Sequence, residues 1–184
     1  MRGHEVKLDI PDPDLSDPRI RLGNSNFILV EWPRLLIPPE TPPVLARLGS
    51  AGVRLLIAHP ERYGGYDPEL HLVEKWRKEG AFLQANFGSL IGRYGPAPRA
   101  VAFRLLERGW VDCLATDFHG RPHLRLFLDA ARETFERLGA ERAWDMLTQV
   151  NPERISRGDE PLPVPPVEGG RGLVDRIRSL FRAG

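Results

Sequence analysis

The stretch Val111–Gly120 is an apolar run that opens into Asp117-x-His119. On an extended backbone, residues two apart point the same way, so this carboxylate and imidazole are expected on one side of the chain. Mixed oxygen and nitrogen donors suit a divalent metal. Asp-x-His alone is also an ordinary loop sequence, and other stretches give it weight. Phe27-Ile28-Leu29-Val30 runs into Glu31, and Val53–Ala58 runs into His59-Pro60-Glu61-Arg62. Taken singly, Glu31 and His59 read as caps or hydrogen-bonded loop residues. Scattered polar residues, however, have no reason to recur where each apolar run ends, so the set Glu31, His59, Asp117 and His119 reads as a metal site.

Arg62 lies three residues beyond His59, where a guanidinium can grip a phosphoryl oxygen bidentately. Arg121 is a second candidate, and either also reads as a solvated surface arginine. Metal and guanidinium together suggest phosphoester hydrolysis by metal-activated water. Other polar residues rank lower. His71 sits on a helix, and Pro122 separates His123 from His119 by opening a new helix. Ser89 has no His/Asp pair to activate it, which argues against a serine nucleophile. Trp32 and Tyr63 read as packing beside the ligands.

Positioning such groups requires strands whose ends share one face. The apolar runs 27–30, 53–58, 81–85 and 111–116 read as buried strands, and Glu5–Ile10 alternates as a further one. Residues 14–26 read as a loop with a short strand near Arg19–Leu22. Helices are expected from Thr41 to about Gly52, from Asp67-Pro68 to Gly80, over Pro98–Arg108, from about Pro122 to Leu138, and from Ala140 to Val150. Leu70, Val73 and Trp76 form the inner stripe of the second of these, and Leu124, Phe127, Leu128, Ala131 and Phe135 that of the fourth. Strands alternating with helices imply an α/β fold with a parallel sheet and right-handed crossovers, in which the carboxyl ends of the strands carry the site.

The chain has 184 residues, 26 Lys plus Arg against 25 Asp plus Glu, and a net charge of +1. That balance draws neither nucleic acid nor an anionic membrane by bulk electrostatics. The single cysteine, Cys113, excludes an internal disulfide and reads as a buried apolar residue. With no apolar leader and no membrane-length segment, a cytoplasmic location is expected. Residues 1–158 form the expected domain. Residues 159–170, rich in Pro and Gly, read as a flexible linker without core-forming residues. Arg171–Arg182 reads as an amphipathic tail helix that packs back on the domain or contacts a membrane or kinase.

Four spaced motifs carry a resemblance: Phe27–Pro33, Ile57–Tyr63, Gly88–Gly95 and Ala115–His119. Together they resemble the bacterial manganese-dependent protein tyrosine phosphatases that regulate capsule and exopolysaccharide synthesis, within the polymerase-and-histidinol-phosphatase superfamily. The resemblance covers roughly residues 3–155. It implies a distorted (β/α) barrel, here with about four to five parallel strands. It also implies a multinuclear centre of Mn²⁺ or another divalent metal such as Fe, Zn or Co, and phosphotyrosine substrates on tails of bacterial tyrosine kinases. Glu31, His59, Asp117 and His119 match the family's metal ligands. Glu5 matches another, and Arg62 and Arg121 match phosphate-contacting arginines. The family's opening His-x-His strand has no counterpart, so roughly two or three βα units of about thirty residues are expected to be missing. Two alternatives stay open: a non-catalytic remnant that binds phosphotyrosine or a kinase, and a small-molecule phosphatase of the histidinol-phosphate type.

Overall fold

The computed structural model describes residues 6–8, 17–32, 35–36, 41–64, 69–118 and 127–168. Glu5, His119, Arg121, His123 and the tail Arg171–Arg182 lie outside the described residues. Among the described residues five strands form one sheet: β1 (Val6–Lys7), β2 (Phe27–Glu31), β3 (Arg54–Ala58), β4 (Phe82–Asn86) and β5 (Cys113–Ala115). Their spatial order is their chain order, and every pair is parallel. The α/β parallel architecture expected above is therefore present.

The strands are apolar on both faces because both faces are covered. Ile28, Val30, Leu55, Ile57, Leu83, Ala85 and Leu114 face a large core. The helices supply its other half: α1 (Thr41–Ser50), α2 (His71–Lys78), the short α3 (Phe87–Leu90), α4 (Pro96–Glu107) and α5 (Leu128–Arg137). On the opposite face Phe27, Leu56 and Cys113 pack with Leu22 and with Ile155 of α7 (Asn151–Arg157). Leu70, Val73 and Trp76 are buried as the inner stripe predicts, and the Trp76 indole N–H donates to the Thr41 hydroxyl at 2.6 Å. Burial pushes the Cys113 thiol up, so it stays protonated and acts as a small apolar side chain.

Several boundaries differ from expectation. The helix expected from Pro122 cannot run continuously through Phe127, whose φ is +56°, and α5 begins at Leu128. Leu128 itself is exposed. Between Pro18 and Ile20 the chain makes a 3₁₀ turn held by the Asp17 carboxylate, with only an isolated bridge from Arg21 to Ile28. The last helix does not stop at Val150: α6 (Glu141–Asp145) passes through a π-helical turn, Met146–Val150, directly into α7. Pro152 has no N–H to donate, and the wider turn accommodates that gap, with Asn151 N–H bonding Met146 C=O.

The stretch expected as a flexible linker is, over 159–168, a packed strap. Val164 and Val167 are buried in the main core, and Val167 N–H donates to Leu106 C=O at 3.1 Å. Asn151, fully buried, donates to Asp112 C=O and Leu162 C=O and accepts from Leu162 N–H. Composition suggested freedom, but two valines and one amide clamp override it.

Asp112 stitches β4 to the start of β5. Its carboxylate accepts from Leu83 N–H at 2.7 Å and from Arg77 at 2.9 Å. Burial nevertheless holds this carboxyl above its ordinary value of 3.8, because Arg77 offsets only part of the desolvation. A carboxyl whose pKa is raised by folding adds stability that is complete below 3.8 and is lost as pH rises through the folded value. Asp112→Asn removes this titration. The stability of the natural protein minus that of the variant should therefore fall as pH climbs above about 3.8, measured by urea unfolding across a pH series. A difference that rises with pH would overturn the assignment.

Candidate metal and phosphate site

Parallel pairing in chain order brings the carboxyl ends of β2, β3, β4 and β5 to one edge. Glu31 is the last residue of β2, His59 follows β3, Asn86 ends β4, and Asp117 lies two residues beyond β5. His59 Nε2 stands 3.3 Å from Glu31 Oε1, with the imidazole buried and the carboxylate nearly so. Backbone pairing continues one step past β3, as His59 N–H donates to Gln84 C=O at 2.7 Å. His59 then turns left-handed, with φ +34° and ψ +58°, and Pro60 opens a 3₁₀ turn that ends at Arg62. Left-handed backbone costs a non-glycine residue about 1 kcal/mol or more and gathers at functional sites.

Asp117 is left-handed too, with φ +54°. Its backbone is therefore not the extended one on which the shared orientation of Asp117 and His119 was expected, and β5 has already ended at Ala115. The turn aims the Asp117 carboxylate at Arg62, whose Nη1 lies 2.5 Å away, and at Asn86, whose Nδ2 donates at 3.2 Å. Arg62 also stacks over the Tyr94 ring, 4.2 Å from its centre. Carboxylate and ring together fix the guanidinium plane.

Beneath this lies a carboxylate that the strand-end pattern did not single out. Glu61 is buried, and its Oε1 accepts from Asn86 N–H at 2.9 Å and from the Ser89 hydroxyl at 2.7 Å. Among the described residues, its buried Oε2 has no hydrogen-bond partner. Burial raises the Glu61 carboxyl above its ordinary range, against the opposing pull of Ser89 and Asn86. The Asn86 side chain in turn accepts from Gln84 Nε2 at 2.8 Å. A closed circuit results, from Glu61 through Asn86 and Asp117 to Arg62, which adjoins Glu61 in the chain. Asn86 obeyed the same strand-end rule as Glu31, and that signal could have nominated it. Ser89 is committed to Glu61, and Tyr63 packs inside, its hydroxyl accepting from Trp32 N–H at 2.9 Å. Both are buried.

Glu31 and His59 fit a divalent ion by donor type and by separation, since two ligands about 2.1 Å from one ion sit roughly 3 Å apart. Among the described residues no group of three or more His, Cys, Asp or Glu side chains gathers around a common point. Asp117 is engaged with Arg62 and Asn86, and the other candidates, Glu5 and His119, lie outside the described residues.

Residues 9–157 match the protein family described as capsular polysaccharide synthesis, CpsB/CapC. Tyrosine-protein phosphatase YwqE of Bacillus subtilis (strain 168) is 31% identical over 167 residues, which are 88% of this chain and 62% of YwqE. A Staphylococcus aureus protein provisionally named tyrosine-protein phosphatase CapC is 29% identical over 142 residues, covering 74% of this chain and 55% of its own. The chain thus spans about three-fifths of the length of these curated relatives. A crystal structure from work on YwqE and on CpsB of Streptococcus pneumoniae, described as metal-dependent tyrosine phosphatases, superposes with a TM-score of 0.72 at 26% identity. That match covers 91% of this chain and 69% of the other.

The Glu61 circuit yields a stability prediction. Glu61→Ala leaves Asn86 N–H and the Ser89 hydroxyl without their acceptor and should cost about 2–4 kcal/mol. Glu61→Gln keeps an acceptor oxygen for both donors and should cost less than about 1 kcal/mol. Urea unfolding at neutral pH measures the pair, and equal losses would show that the two hydrogen bonds contribute little.

Proposed function

The chain belongs to the CpsB/CapC capsular polysaccharide synthesis family, and on that footing we propose that it acts as a divalent-metal-dependent phosphatase of phosphotyrosine proteins. The observation that carries the reading is one strand-end rim that holds the Glu31/His59 donor pair and, within one 3₁₀ turn, the Arg62 guanidinium. Glu31 and His59 would hold the metal, joined by Asp117 and by Glu5 and His119. When bound, the metal supplies Lewis-acid activation of water and neutralises phosphoryl charge. Mn²⁺ is the ion we assign.

Arg62 binds the phosphoryl group, exchanging its Asp117 contact for phosphoryl oxygens while Tyr94 keeps its plane. Arg121 would join it. Asn86 keeps the Asp117 carboxylate oriented as the arginine leaves it. The substrate is a phosphotyrosine segment of a protein, and the partner we propose is a bacterial tyrosine kinase whose dephosphorylation regulates capsule or exopolysaccharide synthesis in the cytoplasm. Among the described residues, no helix is long and apolar enough to cross a membrane.

Turnover of a phosphotyrosine peptide should appear with added Mn²⁺, vanish with EDTA, and fall at least about 100-fold in His59→Ala. A rate indifferent to EDTA and to His59→Ala would sink the metal mechanism. Arg62→Lys should lower kcat/KM by on the order of 100-fold, about 3 kcal/mol, at unchanged metal content, because an ammonium lacks the planar fork. Loss of metal or of folded protein in that variant would make Arg62 structural.

A further inference from the structure

Beside the phosphoryl-binding arginine the chain presents a second guanidinium that the proposed reaction does not use. Arg93 is exposed. Its guanidinium carbon lies 5.8 Å from the centre of the Tyr94 ring and 5.1 Å from that of Phe127. Among the described residues it has no carboxylate partner. Exposed arginines ordinarily sweep many rotamers; two aromatic rings restrict this one, and no described residue takes up its N–H groups.

The turn that carries it is built closely. Arg93 N–H donates to Gly88 C=O at 2.9 Å, and Gly92 and Gly95 adopt φ of +80° and +99°. A Cβ at Gly88 would stand 3.1 Å from the Tyr94 ring and 3.2 Å from Arg93 Cδ, so the absence of a side chain at 88 lets the turn lie flat. On the far side, Phe127 reaches Arg93 from a left-handed residue at the mouth of α5. Tyr94 is shared: Arg62 covers it at 4.2 Å, so the two guanidinium carbons lie within about 10 Å of one another.

That ceiling bounds the ligand. An extended chain advances about 3.3 Å per residue, so groups up to three residues from a phosphotyrosine held at Arg62 stay within about 10 Å along the backbone, and the adjacent residue points to the opposite side, which leaves the second and third. We propose that Arg93 is a recognition site for an anionic group, a carboxylate or a second phosphoryl, two or three residues from the phosphotyrosine in the substrate chain. The inference rests on the phosphotyrosine reading and adds a preference to it: substrates are segments with negative charge at that offset.

Binding of fluorescein-labelled peptides to the full chain, followed by anisotropy, tests it without requiring turnover. The set comprises a phosphotyrosine peptide with neutral flanks, one with Glu two and three residues away on both sides, a doubly phosphorylated one, one with Lys at the Glu positions, and the unphosphorylated Glu peptide. The Glu and doubly phosphorylated peptides should bind about five- to tenfold tighter than the neutral one, the margin shrinking with salt. Arg93→Ala should erase that margin and leave the neutral peptide within twofold. Arg93→Glu should invert it, favouring the Lys peptide. The relative affinities of the Glu and doubly phosphorylated peptides report which anion is preferred. A margin that survives Arg93→Ala, or an equal loss for acidic and neutral peptides, overturns the subsite. Phosphorylation-dependent binding that ignores Arg93 overturns the subsite alone. Acidic peptides bound through Arg93 equally well with and without phosphate would uphold the anion site and defeat the phosphotyrosine reading beneath it.

Discussion

Parallel backbone pairing in chain order is the constraint on which the site depends. Parallel strands set their hydrogen bonds evenly, so each strand advances in step with its neighbour and all carboxyl ends arrive together. The register aligns Val30 with Ile57 and Ile57 with Leu83, and one level further Ala58 with Gln84 and Gln84 with Cys113. The residues at or just past that level are Glu31, His59, Asn86 and Asp117. A one-residue slip in any strand would carry its polar end residue to the helix-covered face, where an unpaired carboxylate is costly.

Two residues at the rim, His59 and Asp117, adopt left-handed backbone, and both turns are held from outside themselves. The first is pinned by the His59–Gln84 backbone bond and by Pro60. The second is pinned through the Asp117 carboxylate by Arg62 and Asn86. Glu61 secures the floor under both by capping the Asn86–Ser89 segment. Local strain of this kind persists only where surrounding contacts over-determine it. Here those contacts are a few hydrogen bonds in a buried, low-dielectric setting, where each is stronger than it would be in water.

Much of this was legible in the sequence. Apolar runs ending in polar residues announced parallel strands and a strand-end rim, because burial on both faces demands continuous hydrophobicity and the polar residue marks its limit. The helix stripe at Leu70, Val73 and Trp76 was legible for the same reason. Glu61 was not, since a buried carboxylate looks like any charged loop residue until its hydrogen-bond donors are known. Nor was the start of α5, because the left-handed break falls on a phenylalanine, which sequence does not flag as it would a glycine. The strap at 159–168 was misjudged because proline content masked Val164 and Val167, and its anchor, Asn151, sits in the preceding helix. Arg93 lies in the Gly88–Gly95 motif, but nothing in the sequence singled it out there. Its significance comes from Tyr94 and Phe127, distant from each other in sequence.

In-order pairing also bears on how the chain is made. Each strand's partner has already left the ribosome when that strand emerges, so β1 through β5 can add one at a time with short loop closures between them. Contacts made by the end of α7 break this pattern. Arg54 at the start of β3 donates to Gly158 C=O, 104 residues downstream, just where α7 gives way to the strap. That bond, together with Ile155 sealing the smaller core, can form only after nearly all of the described chain has been synthesised. Growth of the sheet is thus vectorial, and α7 with the strap closes over a sheet that is already assembled.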